Sequence, residues 1–155
     1  MSALLTGKMC LKAWEAVEAA VVVAADTGIA NKCAGTVVVL DPQTDEPLFA
    51  ADVDVKHPDA EKYRVIAHAK AELSARTGMS SRDVQQNAPH LYEDGDVKYG
   101  GSVWRDGLVV AFSGVQAVID EAFAGMMADL LVGMCQDKVT RKGGIMDSDL
   151  IFIEA

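Results

Sequence analysis

One stretch constrains the fold more than any other: Gly100-Gly101-Ser102-Val103-Trp104-Arg105-Asp106-Gly107-Leu108-Val109-Val110-Ala111-Phe112-Ser113-Gly114. Arg105-Asp106-Gly107 stands between two β-prone runs, the short-range signal for a hairpin. Ser113-Gly114 ends the second run, and Asp120-Glu121 fall in the early turns of the helix that follows. The order is therefore strand, tight turn, strand, glycine break, helix. No βαβ nucleotide fingerprint is present, because Gly100-Gly101 is not a G-x-G-x-x-G opening a helix.

The rest of the chain reads as alternating helices and short strands. Met9 to Ala25 is predicted helical, with Leu11, Trp14, Val17, Val21 and Val22 packed and Glu15 and Glu18 wet. Gly28 stops it. Thr36 to Leu40 is a β-branched buried strand, Asp41 to Pro47 a loop, and Leu48 to Val53 a return strand. His57-Pro58-Asp59 opens a second helix, Ala60 to Arg76. Ser80-Ser81-Arg82-Asp83 has capping-box spacing and opens a short helix to about Gln86. Asn87 to Gly95 reads as loop and Val97 to Tyr99 as a strand. A long helix runs from Ala117 to about Gln136, and Leu150 to Ile153 is expected as a last strand or packing tail. Strands grouped in hairpins predict an α+β fold with an antiparallel sheet. Thr36–Leu40, Leu48–Val53 and Leu108–Phe112 are expected in one sheet.

Length and charge narrow the function classes. The 155 residues suit a single domain, 1–155. The net charge of −9 argues against nucleic acid and anionic membranes. The longest basic run, Lys138 to Lys142, sits at a helix end where cations suit the helix dipole. The apolar run Ala16 to Ala25 is too short to span a bilayer, and no secretory h-region precedes it. Cys10, Cys33 and Cys135 are widely spaced without a CxxC pair, which reads as free thiols in a reducing cytoplasm.

Several segments together resemble the GlcG/HbpS-like family, also called the haem-binding, DUF336 or PduO C-terminal-like domain. They are Val39-Leu40-Asp41, Ala67-His68-Ala69-Lys70-Ala71, Thr77-Gly78-Met79-Ser80-Ser81, Gly100-Gly101, Arg105, Gly107, Ser113-Gly114 and Asp120-Glu121-Ala122. The resemblance covers about 9–132, leaving 143–155 as a C-terminal extension. It departs in the first hairpin, where Pro42 to Pro47 replaces a Gly-Gly turn. The resemblance implies a profilin-like curved antiparallel sheet flanked by helices. It further implies self-association into a homo-oligomer and a role as a small-molecule binding protein or enzyme, with haem as an alternative ligand. A haem-carrier protein and a non-catalytic accessory oligomer of a catabolic pathway are the competing readings.

The residues with chemistry to offer are few. Glu61, His68 and Glu72 lie near one helical stripe, where an imidazole and carboxylates can hold a metal or move a proton. A solvated face with a stray histidine explains them equally, and no metal site is assigned. Lys70 falls where the family has its lysine and can meet a substrate carboxylate as a point charge. Catalytic candidates are His68, Lys70 and Arg105; cofactor-contact candidates are His90, Gly100, Gly101 and Ser113. Lys70, Arg105, His68 and the Gly100-Gly101 backbone are expected to line a cleft for a small anionic metabolite between the sheet and the second helix. Haem needs an axial ligand, which His68 or His90 would supply. The long helix is apolar on more than one side, so part of it, with the tail, is expected to be covered by a second copy.

Overall fold

The computed structural model describes residues 4–153. Helix α1 spans Gly7–Asp26, strand β1 Thr36–Leu40 and strand β2 Pro47–Asp52. Helix α2 is Ala60–Thr77 and α3 Ser81–Asn87. The hairpin strands are β3, Ser102–Arg105, and β4, Leu108–Ser113, followed by α4, Ala117–Thr140. The strands form one antiparallel sheet in the order β2-β1-β4-β3. The three strands expected in one sheet are in it, and the class is α+β as the sequence predicts.

The central strands β1 and β4 are buried on both faces, with side chains alternating between them. Val37, Val39, Val110 and Phe112 point to a core shared with α1 and α4. Val38, Leu40, Val109 and Ala111 point the other way, onto Ala67 and Ala71 of α2. The first core is the larger and is aromatic: Phe112 packs edge-on against Phe123 with ring centroids 5.2 Å apart, and Trp14 lies 6.4 Å from Phe112. The second is built from small residues, which lets α2 sit close to the sheet.

Local signals account for the element ends. Asp106 has φ 49° and Gly107 φ 96°, so both turn residues are left-handed, as a two-residue type I′ hairpin requires. Ser80 Oγ accepts the Asp83 amide at 3.1 Å and starts α3.

Three expectations are corrected. Leu11 and Val22 face solvent, and Cys10, Ala13 and Ala24 take their places on the packed side of α1. Val97 to Tyr99 is not a strand; the segment before β3 is instead fastened to α2, where both Nη nitrogens of Arg76 bond the Asp96 carboxylate. Leu150 to Ile153 forms no strand and lies exposed, Ile151 at 91% and Phe152 at 82%.

Candidate functional site

The sequence-derived candidates occupy four separate places. His68 is half-buried on the outer side of α2, in a shallow depression with Glu61, Arg64 and Glu72. His90 is exposed in a 3-10 turn, Pro89–Leu91. Lys70 and Gly101 meet beside Phe112 where β3 begins and β4 ends, and Ser113 is the last residue of β4. Arg105 stands at the opposite end of β3, four residues from Gly101, or about 14 Å in an extended strand. The contact between α2 and the sheet is filled by Ala67, Ala71, Val38 and Val109. The expected cleft is therefore not between the sheet and the second helix, because small side chains close that space.

Lys70 is 2% exposed and its ammonium has two acceptors. Its Nζ donates to Phe112 O at 3.0 Å and to Asp120 Oδ2 at 3.1 Å. Asp120 Oδ1 accepts the Val115 amide at 2.9 Å. Burial pushes the Lys70 ammonium below its ordinary value, while Asp120 pulls it back up. Burial likewise raises Asp120, with Lys70 opposing. The pair thus ties α2, β4 and the start of α4 together at one point. Gly101 is required there: its φ is 137°, and a Cβ would stand 2.5 Å from Lys70 Nζ and 2.7 Å from Phe112 O. Close by, Ser74 and Ser102 share a hydrogen bond at 2.6 Å, and Ser81 Oγ accepts the Ser102 amide at 3.0 Å. Gly100 packs against Arg82, and Ser113 is buried opposite Thr36 in the sheet.

The open site lies along the free edge of β3. A cleft of about 580 Å³ runs between α3, β3 and α4. Trp104 forms part of its wall and is 39% exposed, against 4% for Trp14. Met79, Val118, Ala122 and Met126 supply apolar surface. Two ion pairs bracket it. Arg82 Nε meets Glu121 Oε2 at 3.0 Å, and Arg105 Nε meets Asp129 Oδ1 at 3.3 Å. Both guanidiniums spend Nε on α4, and their Nη atoms make no hydrogen bond among the described residues. Each retains donors in the fork geometry that matches a carboxylate.

The edge of β3 also faces this space. Gly101 O accepts the Phe112 amide at 2.9 Å, so Gly101, Val103 and Arg105 bond to β4. The backbone groups of Ser102 and Trp104 then point outward. Ser81 takes the Ser102 amide, leaving those of Trp104 toward the cleft. Of the sequence candidates only Arg105 lines this site. Arg82, Trp104, Glu121 and Asp129 were not singled out for it. Arg82 reads as a filler in a capping box, and Glu121 lies 39 residues further along. The one local signal was an indole beside an arginine on a strand at the sheet edge.

Among the described residues no group of three or more metal-ligating side chains comes together, and the three cysteines are free. No described helix is long and apolar enough to cross a membrane.

No protein-family model matches the sequence, and no curated protein matches it significantly. Solved structures do. Klebsiella pneumoniae protein ORFY, of family DUF336, is 18% identical with a TM-score of 0.57, covering 79% of this chain and 89% of that one. HbpS of Streptomyces reticuli, in a double-mutant form, is 20% identical with a TM-score of 0.57, covering 84% and 89%. PduOC in complex with haem is 18% identical with a TM-score of 0.52, covering 77% and 91%. The similarity of its α+β structure to these proteins gives this chain the GlcG/HbpS-like DUF336 fold.

Proposed function

We propose that the protein binds a small anionic organic molecule in the cleft along β3. The observation that carries this reading is the pair of guanidiniums, Arg82 and Arg105, which flank Trp104 and keep unused Nη donors although the carboxylates of Asp83, Glu121 and Asp129 share the cleft. An aromatic and thioether surface takes the body of a ligand, and a bidentate arginine takes its carboxylate. Ser80, the hydroxyl of the cleft, accepts the Asp83 amide that starts α3 and is held in place by it. Lys70 serves the site by holding its frame.

The test uses the two tryptophans already present. Trp104 is the accessible indole, so a bound acid shields it from acrylamide. A panel of small organic acids should contain a member that lowers acrylamide quenching saturably, with loss of the effect in Arg105→Gln. No saturable protection across the panel would remove the proposal.

Haem is the second reading, raised by the PduOC haem complex. The donor set of this chain does not fit a histidine-ligated haem in the cleft. Met79 and Met126 reach it, but none of the histidines does. His57 Nδ1 accepts the Asp59 amide, His68 faces the polar depression on α2, and His90 stands in the exposed turn. Haemin should therefore give no sharp Soret band; one that His68→Ala or His90→Ala weakens would restore this reading.

We further infer self-association through the helix layer. Ala16, Val17, Ala20, Met126 and Leu130 line an apolar groove between α1 and α4. Met126 and Leu130 of this groove are exposed, as are Val23 on α1 and Val132 on α4, and the apolar tail Leu150 to Ile153 is uncovered. Such surface supports burial by a second copy. Sedimentation velocity at micromolar concentration should show at least a dimer; a species of 16.5 kDa would end the inference.

A further inference from the structure

The cations of this acidic chain are not evenly spread. Where the start of α1 lies beside the end of α4, Lys8, Lys12, Lys138 and Arg141 line a second cleft of about 490 Å³, together with Thr6, Met9, Met134 and Asp137. Asp137 is its single carboxylate. The chain has 14 lysines and arginines against 23 acids, so four cations around one acid is a reversal of its overall balance.

Folding explains half of this cluster. Lys138 and Arg141 stand at the C-terminal end of α4, where the helix dipole favours cations, and Arg141 reaches Asp137 at 4.0 Å. Lys8 and Lys12 have no such account. They sit in the first two turns of α1, where the dipole disfavours cations, and no acid occupies the first turn. They are also a like-charged i,i+4 pair, which opposes the helix. Lys8, Lys12 and Lys138 form no hydrogen bond or ion pair among the described residues. Two lysines placed against helix electrostatics, facing two more cations across a cleft, weaken the protein unless something negative joins them.

We propose that this cleft binds a small multivalent anion, a phosphorylated or polycarboxylated metabolite. Four cations in one cleft give such a ligand several charge contacts at once. A long polyanion gains little beyond them, because the rest of the surface is acidic. The site is independent of the β3 cleft, whose arginines are each matched by a carboxylate and whose wall is aromatic.

The experiment is calorimetric titration of the full chain at constant ionic strength with tripolyphosphate, citrate, chloride and a single-stranded homopolymeric oligonucleotide. Tripolyphosphate or citrate should bind at one site per chain and chloride should not; which of the two binds more tightly separates phosphoryl from carboxylate ligands. Lys8→Gln with Lys12→Gln should weaken that binding about tenfold or more, as expected for removing two of four charges from a cleft. The same double variant should melt no lower than wild type without ligand, because it relieves repulsion. Arg82→Gln with Arg105→Gln should leave this binding intact. The proposal is overturned if neither multivalent anion binds beyond chloride, or if the lysine variant binds as wild type does. It is overturned as well if the arginine variant alone abolishes binding, or if the oligonucleotide binds more tightly per charge than tripolyphosphate.

Discussion

The two ends of β3 handle charge in opposite ways. At the Gly101 end, Lys70 and Asp120 are buried, bonded to each other and to the backbone of β4 and of the turn into α4. At the Arg105 end and across to α3, the arginines are part-exposed and keep unused donors beside an open wall. A buried ion pair repays its desolvation only when every bond is made, and it then serves as a fixed joint. An exposed pair contributes little to stability and can exchange partners. One end is built to hold shape, the other to meet a ligand.

The largest effect should come from breaking the joint. Lys70→Met leaves Asp120 buried without its partner and should cost about 3–5 kcal/mol, read as a lower urea midpoint. Adding Asp120→Asn should recover part of that loss. An unchanged midpoint in Lys70→Met would place the lysine among ordinary surface charges and erase the contrast. Next is Gly101→Ala. Its Cβ would collide with Lys70 Nζ and Phe112 O at a positive φ, and a loss of about 1–3 kcal/mol is expected, with the helical circular dichroism retained.

How much of this the sequence made legible depends on the range of the interaction. The hairpin turn at Asp106-Gly107, the cap at Ser80 and the three strands near Thr36–Leu40, Leu48–Val53 and Leu108–Phe112 are written in consecutive residues, and each appears where expected. Lys70 reads from the sequence as lining an open cleft, because nothing near it announces Asp120, 50 residues on. Arg82 and Trp104 do not read as one site from the sequence for the same reason. Their meeting is a product of α3 and α4 closing on the free edge of β3. The apolar Leu150 to Ile153 misled in the other direction, since β-propensity without a partner strand makes no ladder.

A smaller, pH-dependent effect tests whether exposed pairs behave as described. The Arg76 hydrogen bonds hold Asp96 below the ordinary carboxylate range. A depressed acid stabilises the fold above its unfolded value, about 3.9, and loses that contribution as pH falls through the lower folded value. Arg76→Gln should therefore melt below wild type at neutral pH, and the two curves should converge in strong acid. A gap that stays constant from neutral pH into strong acid would mean that Arg76 acts through packing instead.

The smallest stability change belongs to the site itself, and it makes the most direct measurement. Arg82→Gln with Arg105→Gln removes two exposed pairs, each worth about 0–1 kcal/mol, so the ligand-free melting temperature should move by little. The melting temperature of wild type should rise with an organic acid that protects Trp104, as mass action requires of a ligand bound to the folded state. The account predicts that this rise disappears in the arginine variant while the variant remains folded. An equal rise in wild type and variant would contradict it.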